Sequence, residues 1–303
     1  MKKLPLLLLL IGVAKAQVID DIKYIWQPGF SLSPELRILN NYVYTSTNTD
    51  FAPQYTSDNS GVYSEGPNNV NELKLNNVAY GAKFDWNNIL FRQWFNTASV
   101  SFQFMQPTFG DAMTKFTDNT NEGTVSNTDK AAASFHLRMQ DVILHANHRF
   151  GSVLPYAGFG FDYYKVGGHL AYTAGSKRST QLLYLPIGSL FQMSPMISGK
   201  MQVNILLSGK TKYAFFQKKK SSKTENNVTT YSYQFSYKDA TSVDHDTKTS
   251  VGFEGSLFIR VPGFGTGTNI EPYIEVWHLD KKDDAKAFKV RWRSFGVRAN
   301  MSF

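Results

Sequence analysis

The sequence contains no cysteine among its 303 residues. Disulfide bridges, thiolate catalysis and cysteine-ligated metal centres are therefore excluded. Beyond residue 16 it also lacks any run of about 18 apolar residues, the length that marks a membrane-spanning helix. The mean hydropathy of −0.31 excludes a bundle of transmembrane helices. It does not exclude a membrane β-barrel, because half of each barrel strand faces the interior.

Acidic residues are in the minority, and the formal net charge is +8. A basic balance can indicate a nucleic-acid partner when the charges cluster on one surface. Here the basic residues are scattered along the chain. We therefore expect a solvated surface together with charged interior positions, and no nucleic-acid partner.

The first residues have the pattern of an export signal. Lys2 and Lys3 precede the apolar run 4–13, which is followed by Ala14-Lys15-Ala16. This order predicts a signal peptide over residues 1–16, with cleavage after Ala16. The apolar run has about half of the ~20 residues that a membrane helix requires.

The last residues alternate strictly in polarity, which predicts a strand with one apolar and one polar face. The apolar positions of this segment are Phe295, Val297, Ala299, Met301 and Phe303. A tilted strand of about 9–11 residues is long enough to cross a bilayer.

The same period of two recurs along the chain. We predict strands at 35–45, 73–85, 89–105, 131–148, 153–164, 181–193, 199–215, 249–260, 269–279 and 287–303. Short connections, such as Trp86-Asn87-Asn88, alternate with long polar ones, as periplasmic turns and extracellular loops do in membrane barrels. Aromatic residues near strand ends, among them Trp86, Tyr164 and Trp277, are expected to form interfacial girdles.

These patterns predict an all-β fold: a transmembrane, antiparallel, up-and-down β-barrel of about ten strands over residues 35–303. Twelve strands is the alternative count. Residues 229–237 also alternate, but one further strand there would make the count odd, and bacterial single-chain barrels have an even number. We interpret 211–217 and 228–238 instead as extensions outside the membrane, joined by a basic tip at Lys218-Lys219-Lys220. The N-terminal segment 17–34 has no assigned role: plugging, capping and extending the barrel are the alternatives.

A chain that ends on such a strand resembles bacterial outer-membrane β-barrels, whose assembly machinery recognises the terminal aromatic. The segment Leu154-Pro155-Tyr156-Ala157-Gly158-Phe159-Gly160-Phe161 is similar to strand starts of small opacity-type and OmpA-like barrels. The resemblance implies an integral protein of the bacterial cell outer membrane with both termini in the periplasm. It also implies contact with outer-membrane lipid, lipopolysaccharide and the barrel-assembly machinery. The implied assembly signal is Phe303 with Met301, where the family usually has a second aromatic.

The polar phase of the strands predicts which charges face the lumen. The candidates are Arg138, Asp162, Lys200, Glu254, Arg260, Glu271, Glu275 and Arg298. They either form an ion-pair network that fills the barrel or line the selectivity filter of a narrow channel. The mixed signs favour the network.

Catalysis is not expected, although outer-membrane barrels include proteases and lipid-acting hydrolases. The sequence Asp244-His245-Asp246 could pair a base with a carboxylate, but in a Thr/Ser/Lys-rich loop we interpret it as solvated. No cofactor or metal site is predicted.

The long Ser/Thr/Asn/Gly-rich loops favour a surface protein with a structural or adhesive role, acting on a host or cell-surface ligand. The alternative is a porin-like channel for ions or small solutes; an outer-leaflet hydrolase ranks third.

Overall fold

The computed structural model describes fourteen ranges of the chain, and the statements below refer to these. They are 26–45, 56–57, 63–64, 70–91, 94–106, 112–117, 122–127, 134–145, 153–166, 176–225, 228–237, 241–262, 268–282 and 288–303. Within them, no helix has the length and apolar character needed to span a membrane.

The described residues form sixteen strands. In chain order they are β1 (Gly29–Thr45), β2 (Thr56–Ser57), β3 (Tyr63–Ser64), β4 (Val70–Phe91), β5 (Trp94–Gln106), β6 (Ala112–Thr117), β7 (Glu122–Asn127), β8 (Ser134–His145), β9 (Val153–Val166), β10 (Ser176–Ser194), β11 (Ile197–Glu225), β12 (Val228–Tyr237), β13 (Thr241–Asp244), β14 (Val251–Arg260), β15 (Asn269–Asp280) and β16 (Phe288–Ser302).

Ten of these strands close into a barrel. The order around it is β1-β4-β5-β8-β9-β10-β11-β14-β15-β16, and β1 pairs with both β4 and β16. Every one of these pairings is antiparallel. Closure leaves no strand edge unpaired in the cylinder, which is the condition for spanning a membrane with strands. The predicted barrel is confirmed, with ten strands rather than twelve.

Four of the remaining strands extend the barrel at the end that carries the long connections, while β2 and β3 pair only with each other. β12 and β13 pair with β11 beyond its contact with β14, while β6 pairs with β4 and β7 pairs with β6. The alternating segment 229–237 is therefore an extension, as predicted. Lys218-Lys219-Lys220 does not form its tip, because these residues lie inside β11 and pair with 233–235 of β12.

The outward face of the barrel is apolar. Leu36, Ile38 and Phe295 are 59%, 59% and 58% exposed because they lie on the outside of neighbouring strands. Towards the long-loop end the exposed outward positions become polar, at Lys165, Gln181, Lys210, His278 and Arg293. At the other end, Asp141 is exposed on β8 between Met139 and Ile143, which are also exposed. An apolar belt beside a polar margin matches the hydrocarbon layer of a membrane.

One prediction about a strand end is wrong. Residues 86–88 are not a turn: they lie inside β4, which continues to Phe91. The side chain of Asn87 has partners there, since it accepts from Thr97 Oγ1 at 2.8 Å and donates to the carbonyl of Gln27 at 2.7 Å. β1 begins at Gly29, so the barrel also takes in residues before the predicted boundary at 35.

The aromatic girdle is only partly as predicted. Trp86 is exposed on the outside of β4. Tyr164 and Trp277 instead face the lumen, with exposures of 1% and 0%. The reason is the strand phase: each lies two residues from an inward carboxylate, Asp162 and Glu275, and so shares its face.

Glycines on neighbouring strands make room for the inward aromatic rings. A Cβ added to Gly252 would lie 2.8 Å from the Trp277 ring, and one added to Gly296 would lie 2.4 Å from the Tyr273 ring. A ten-strand barrel has a narrow interior that side chains fill. At these two positions the ring fits because the adjacent strand has no side chain of its own.

The apolar belt predicts a depth-dependent cost for a charge. Ile38→Arg, at the middle of β1, should lower the free energy of unfolding in lipid vesicles by about 2–4 kcal/mol, whereas Phe30→Arg, near the strand's start, should lower it by about 0–1 kcal/mol. Denaturant titration of both variants in vesicles measures the difference. Equal costs at the two positions would contradict a membrane-spanning orientation of β1.

Candidate functional site

The lumen collects the charged side chains of eight barrel strands. The inward phase brings together Glu35, Arg37, Lys83, Asp85, Arg138, Asp162, Lys200, Glu254, Glu271, Glu275 and Arg298. Of the charges predicted from the sequence, Arg138, Asp162, Lys200, Glu254, Glu271, Glu275 and Arg298 all belong to this group. Arg260 lies apart from it, half-buried at the mouth of a cavity described below.

Arg138 on β8 is the centre of the network. Its Nε and Nη2 donate to the two carboxylate oxygens of Asp162 at 2.8 and 2.9 Å. Its Nη1 donates to Glu254 at 3.2 Å, and Nη2 also contacts Glu275. One guanidinium therefore connects β8 to carboxylates on β9, β14 and β15. The fork geometry of arginine suits it to this role.

Arg37 extends the network to β1. Its Nη1 donates to Glu275 at 3.4 Å, and its Nη2 lies 2.7 Å from Nδ1 of His136. The same ring nitrogen of His136 lies 2.9 Å from Gln103 Oε1, and Nε2 lies 3.8 Å from Asp162. Glu275 is thus shared by two arginines.

A second cluster surrounds Arg298 on β16. Its Nη1 donates to Glu271 at 2.9 Å, its Nη2 lies 3.5 Å from Glu35, and the guanidinium stacks 3.8 Å from the Tyr273 ring centroid. The hydroxyl group of Tyr273 donates a hydrogen bond to Glu35. Gln103 donates to Glu35 at 2.7 Å and so joins this cluster to His136.

Charges of opposite sign are matched through the described part of the lumen. Lys200 pairs with Glu254 at 2.7 Å, and Lys83 pairs with Asp85 at 2.8 Å. Buried charges are tolerated in proteins when they are paired and hydrogen-bonded. The arrangement therefore has the character of a packed polar core. A selectivity filter would instead need a ring of charges of one sign facing water.

An aromatic layer lies next to the network on its long-loop side. Tyr164, Tyr184, Trp277 and Trp292 are each at most 2% exposed. Their ring centroids are 5.1 Å apart for Tyr184 and Trp277, 6.0 Å for Trp277 and Trp292, and 5.6 Å for Tyr164 and Trp292. These separations are in the range of favourable aromatic contacts. The layer leaves little room for water beside the ion pairs.

His245 was expected to be solvated, and this expectation is wrong. The residue is 3% exposed, and its Nε2 lies 2.8 Å from the hydroxyl of Thr211. Asp244 pairs with Lys210 at 3.6 Å, and Asp246 accepts from the backbone N–H of Lys248. Thr211 is itself fully buried, so this hydroxyl is not placed to act on a substrate. That the protein is not an enzyme remains a prediction from its sequence.

A cavity of about 190 Å³ opens at the end with the short turns. Its charged lining residues are Lys83, Asp85, Lys200, Arg260 and Glu271. Trp26 forms part of its apolar wall, with the ring packed against Phe95 at 4.8 Å and Nε1 donating to Thr97 at 2.9 Å. The last residues before β1 thus fold into the barrel mouth. The described residues contain no group of three potential metal ligands.

The sequence-based list missed several lumen residues. Glu35 and Arg37 alternate with Leu36 and Ile38, so the same phase rule would have found them. Trp26 precedes the first strand and has no periodic neighbour that could reveal an inward position.

Comparison with known proteins adds little to this description. No family model matches the chain, and no curated protein matches its sequence. Among solved structures it is similar to the outer membrane protease OmpT from Escherichia coli, with 8% identity, a TM-score of 0.46 and coverage of 91% of this chain and 97% of that one. It also resembles the attachment invasion locus protein Ail of Yersinia pestis, with 10% identity, a TM-score of 0.29 and coverage of 91% and 100%. These likenesses are too weak to transfer a function.

The translocator domain of the autotransporter NalP from Neisseria meningitidis is a third neighbour. It has 8% identity, a TM-score of 0.34 and coverage of 95% of this chain and 93% of that one. The features of this chain that bear on its function are the lumen and the extensions of the barrel.

Removing the central arginine should destabilise the barrel strongly. Arg138→Met leaves several buried carboxylates with reduced compensation, and loss of one partner of a buried ion pair typically costs about 3–5 kcal/mol. Arg291→Met is the matched control, since its pair with Asp280 at 2.9 Å is more exposed and should be worth about 0–1 kcal/mol. Denaturant titration in vesicles compares the two. A small cost for Arg138→Met would mean that water enters this part of the lumen.

Proposed function

We propose that this protein is a non-enzymatic surface protein of the bacterial outer membrane, in which the barrel is a closed anchor and the extensions beyond it carry the interaction. The observation that carries the proposal is the packed lumen. Ion pairs around Arg138 and Arg298, followed by the aromatic layer, occupy the inward positions at the middle of the barrel.

The longest extension is a two-stranded ribbon, which we call the arm: residues 216–225 of β11 and 228–237 of β12. β11 has 29 residues, and its pairing with β10 ends at Phe215. From Phe216 onward it pairs with β12 alone. The arm therefore projects beyond the cylinder on the side of the long connections.

The register gives the two faces of the arm different compositions. Cross-strand partners share a face, and Lys218 pairs with Phe235 while Lys220 pairs with Tyr233. Tyr231 and Tyr237 follow in the same phase. Lys219 and Lys223 fall on the other face, where their partners are Gln234 and Thr230.

The register positions of Lys218, Lys220 and their partners, which we call the aromatic face, combine Lys with Phe and Tyr, a composition suited to contact surfaces. Lysines attract surfaces that carry anionic groups. Lipopolysaccharide and the anionic glycans of a host or neighbouring cell are partners of this chemistry. The aromatic rings can pack against the apolar faces of sugars while the ammonium groups bind phosphate or carboxylate.

The proposed orientation places both termini and the short turns in the periplasm. An even number of strands returns the chain to the side on which it started. The long connections and the arm would then be extracellular, which agrees with the polar margin of the outer face at Lys165, Lys210 and Arg293. Residues 1–16, outside the described residues, would be the export signal.

Shortening the arm tests the interaction. Deleting 218–225 and 228–235 removes an equal and even number of residues from each strand, so Gln217 and Ser236, which are partners, would flank the native link 226–227. We expect a folded, heat-modifiable barrel whose attachment to lipopolysaccharide-coated surfaces or cultured cells is lost. Unchanged attachment by the shortened protein would contradict the role of the arm.

A matched pair of double variants assigns the binding face. Each lysine near an anionic surface contributes about 1 kcal/mol, so Lys218→Gln with Lys220→Gln should weaken attachment about thirtyfold. Lys219→Gln with Lys223→Gln changes the net charge equally on the opposite face and should have a smaller effect. Equal losses would indicate attraction by charge alone, without the aromatic face.

Single-channel recording tests the closed lumen. The refolded protein should produce no discrete conductance steps in a planar bilayer, because charged and aromatic side chains fill its interior. Stable, reproducible steps would contradict the proposal and favour a narrow channel for ions or small solutes. In that case Arg298→Gln should shift the reversal potential.

A further inference from the structure

The cavity at the short-turn end has the composition of a ligand site. It is separate from the arm, lies at the opposite end of the barrel and plays no part in the proposed surface role. Its lining contains three cationic side chains, Lys83, Lys200 and Arg260, and two carboxylates, Asp85 and Glu271. We propose that this cavity binds a small organic anion, whose carboxylate or phosphate group lies between Lys83 and Lys200.

The carboxylates of the lining already have cationic partners, which favours an anion over a cation as the ligand. Both oxygens of Glu271 have partners, Arg298 at 2.9 Å and Asn300 at 3.2 Å. Asp85 forms an ion pair with Lys83 at 2.8 Å through Oδ1, which has no hydrogen-bond partner among the described residues, and accepts from Ser31 at 3.3 Å through Oδ2. Each of the two carboxylates is therefore paired with a cationic side chain.

The lysines have donors to spare. Each ammonium carries three protons, and the contact of Lys83 with Asp85 and that of Lys200 with Glu254 each use one. Both ammonium groups line the same cavity. An anion in it would accept the protons that the two ion pairs leave unused.

The apolar wall accounts for the organic part of the ligand. Trp26, Val142, Tyr156 and Leu190 line the same space as the two lysines. An engineered apolar cavity of about 150 Å³ admits benzene, so a cavity of about 190 Å³ has room for a ring-sized body.

Ligand-observed NMR titration of the protein in nanodiscs of zwitterionic lipid tests the proposal. The probes are benzoate, its neutral analogue benzamide, and inorganic phosphate. Benzoate should bind saturably, and benzamide should bind at least about tenfold more weakly because it lacks the charge that the lysines pair with. Competition by phosphate would extend the recognised group to phosphates, and its absence would restrict the site to carboxylates.

Three variants locate the binding. Lys200→Met should reduce benzoate affinity about tenfold or more, while Lys210→Met, the same change at the long-loop end, should leave it unaltered. Ser198→Phe fills the cavity without changing any charge and should abolish binding, which keeps the test valid if Lys200→Met fails to fold. Equal binding of benzoate and benzamide, benzoate binding that survives both cavity variants, or no saturable binding of benzoate or phosphate would each overturn the proposal.

Discussion

Closure of a narrow barrel is the constraint on which the rest of this structure depends. Once β1 pairs with β16, every second residue of ten strands must be placed in a space too small for bulk water. A charged side chain on that side needs an oppositely charged partner within contact distance, and an aromatic ring needs a small residue on the neighbouring strand. The ion pairs of Arg138 and the glycines opposite Trp277 and Tyr273 both follow from the narrow interior.

The lumen is divided along its length. Aromatic rings occupy the long-loop side, ion pairs the middle and a polar cavity the short-turn side. Because the strands continue through all three regions, the differences arise from the inward residues alone. The outer face remains an apolar belt over the same strands, and so the interior can change its chemistry without altering how the barrel sits in a membrane.

The period of two allowed much of the fold to be predicted from the sequence. It located ten strands and placed Arg138, Glu254, Glu275 and Arg298 on the inward face. It could not show which charges meet, because partners across the lumen depend on the stagger and curvature of the closed sheet. Arg37 and His136, for example, lie on strands that are not neighbours.

Other errors came from residue types that usually mark loops. Asn87 and Asn88 indicated a turn, yet they remain in β4, where Asn87 has hydrogen bonds to Gln27 and Thr97. His245 lies in a polar stretch but is held inside by Thr211. Local polarity predicts exposure only when no part of the fold supplies a polar partner in the interior.

The contact between Arg298 and Glu35 has a consequence for the order of folding. The two residues are directly opposite in the pairing of β1 with β16, although 263 positions separate them in the chain. Each would remain hydrated until the final strand arrives, since no earlier pairing brings them together. Loop-closure entropy makes such distant contacts slow to form. The ion-pair network that includes Arg298 and Glu35 is therefore complete only when the seam between the first and last strands has formed.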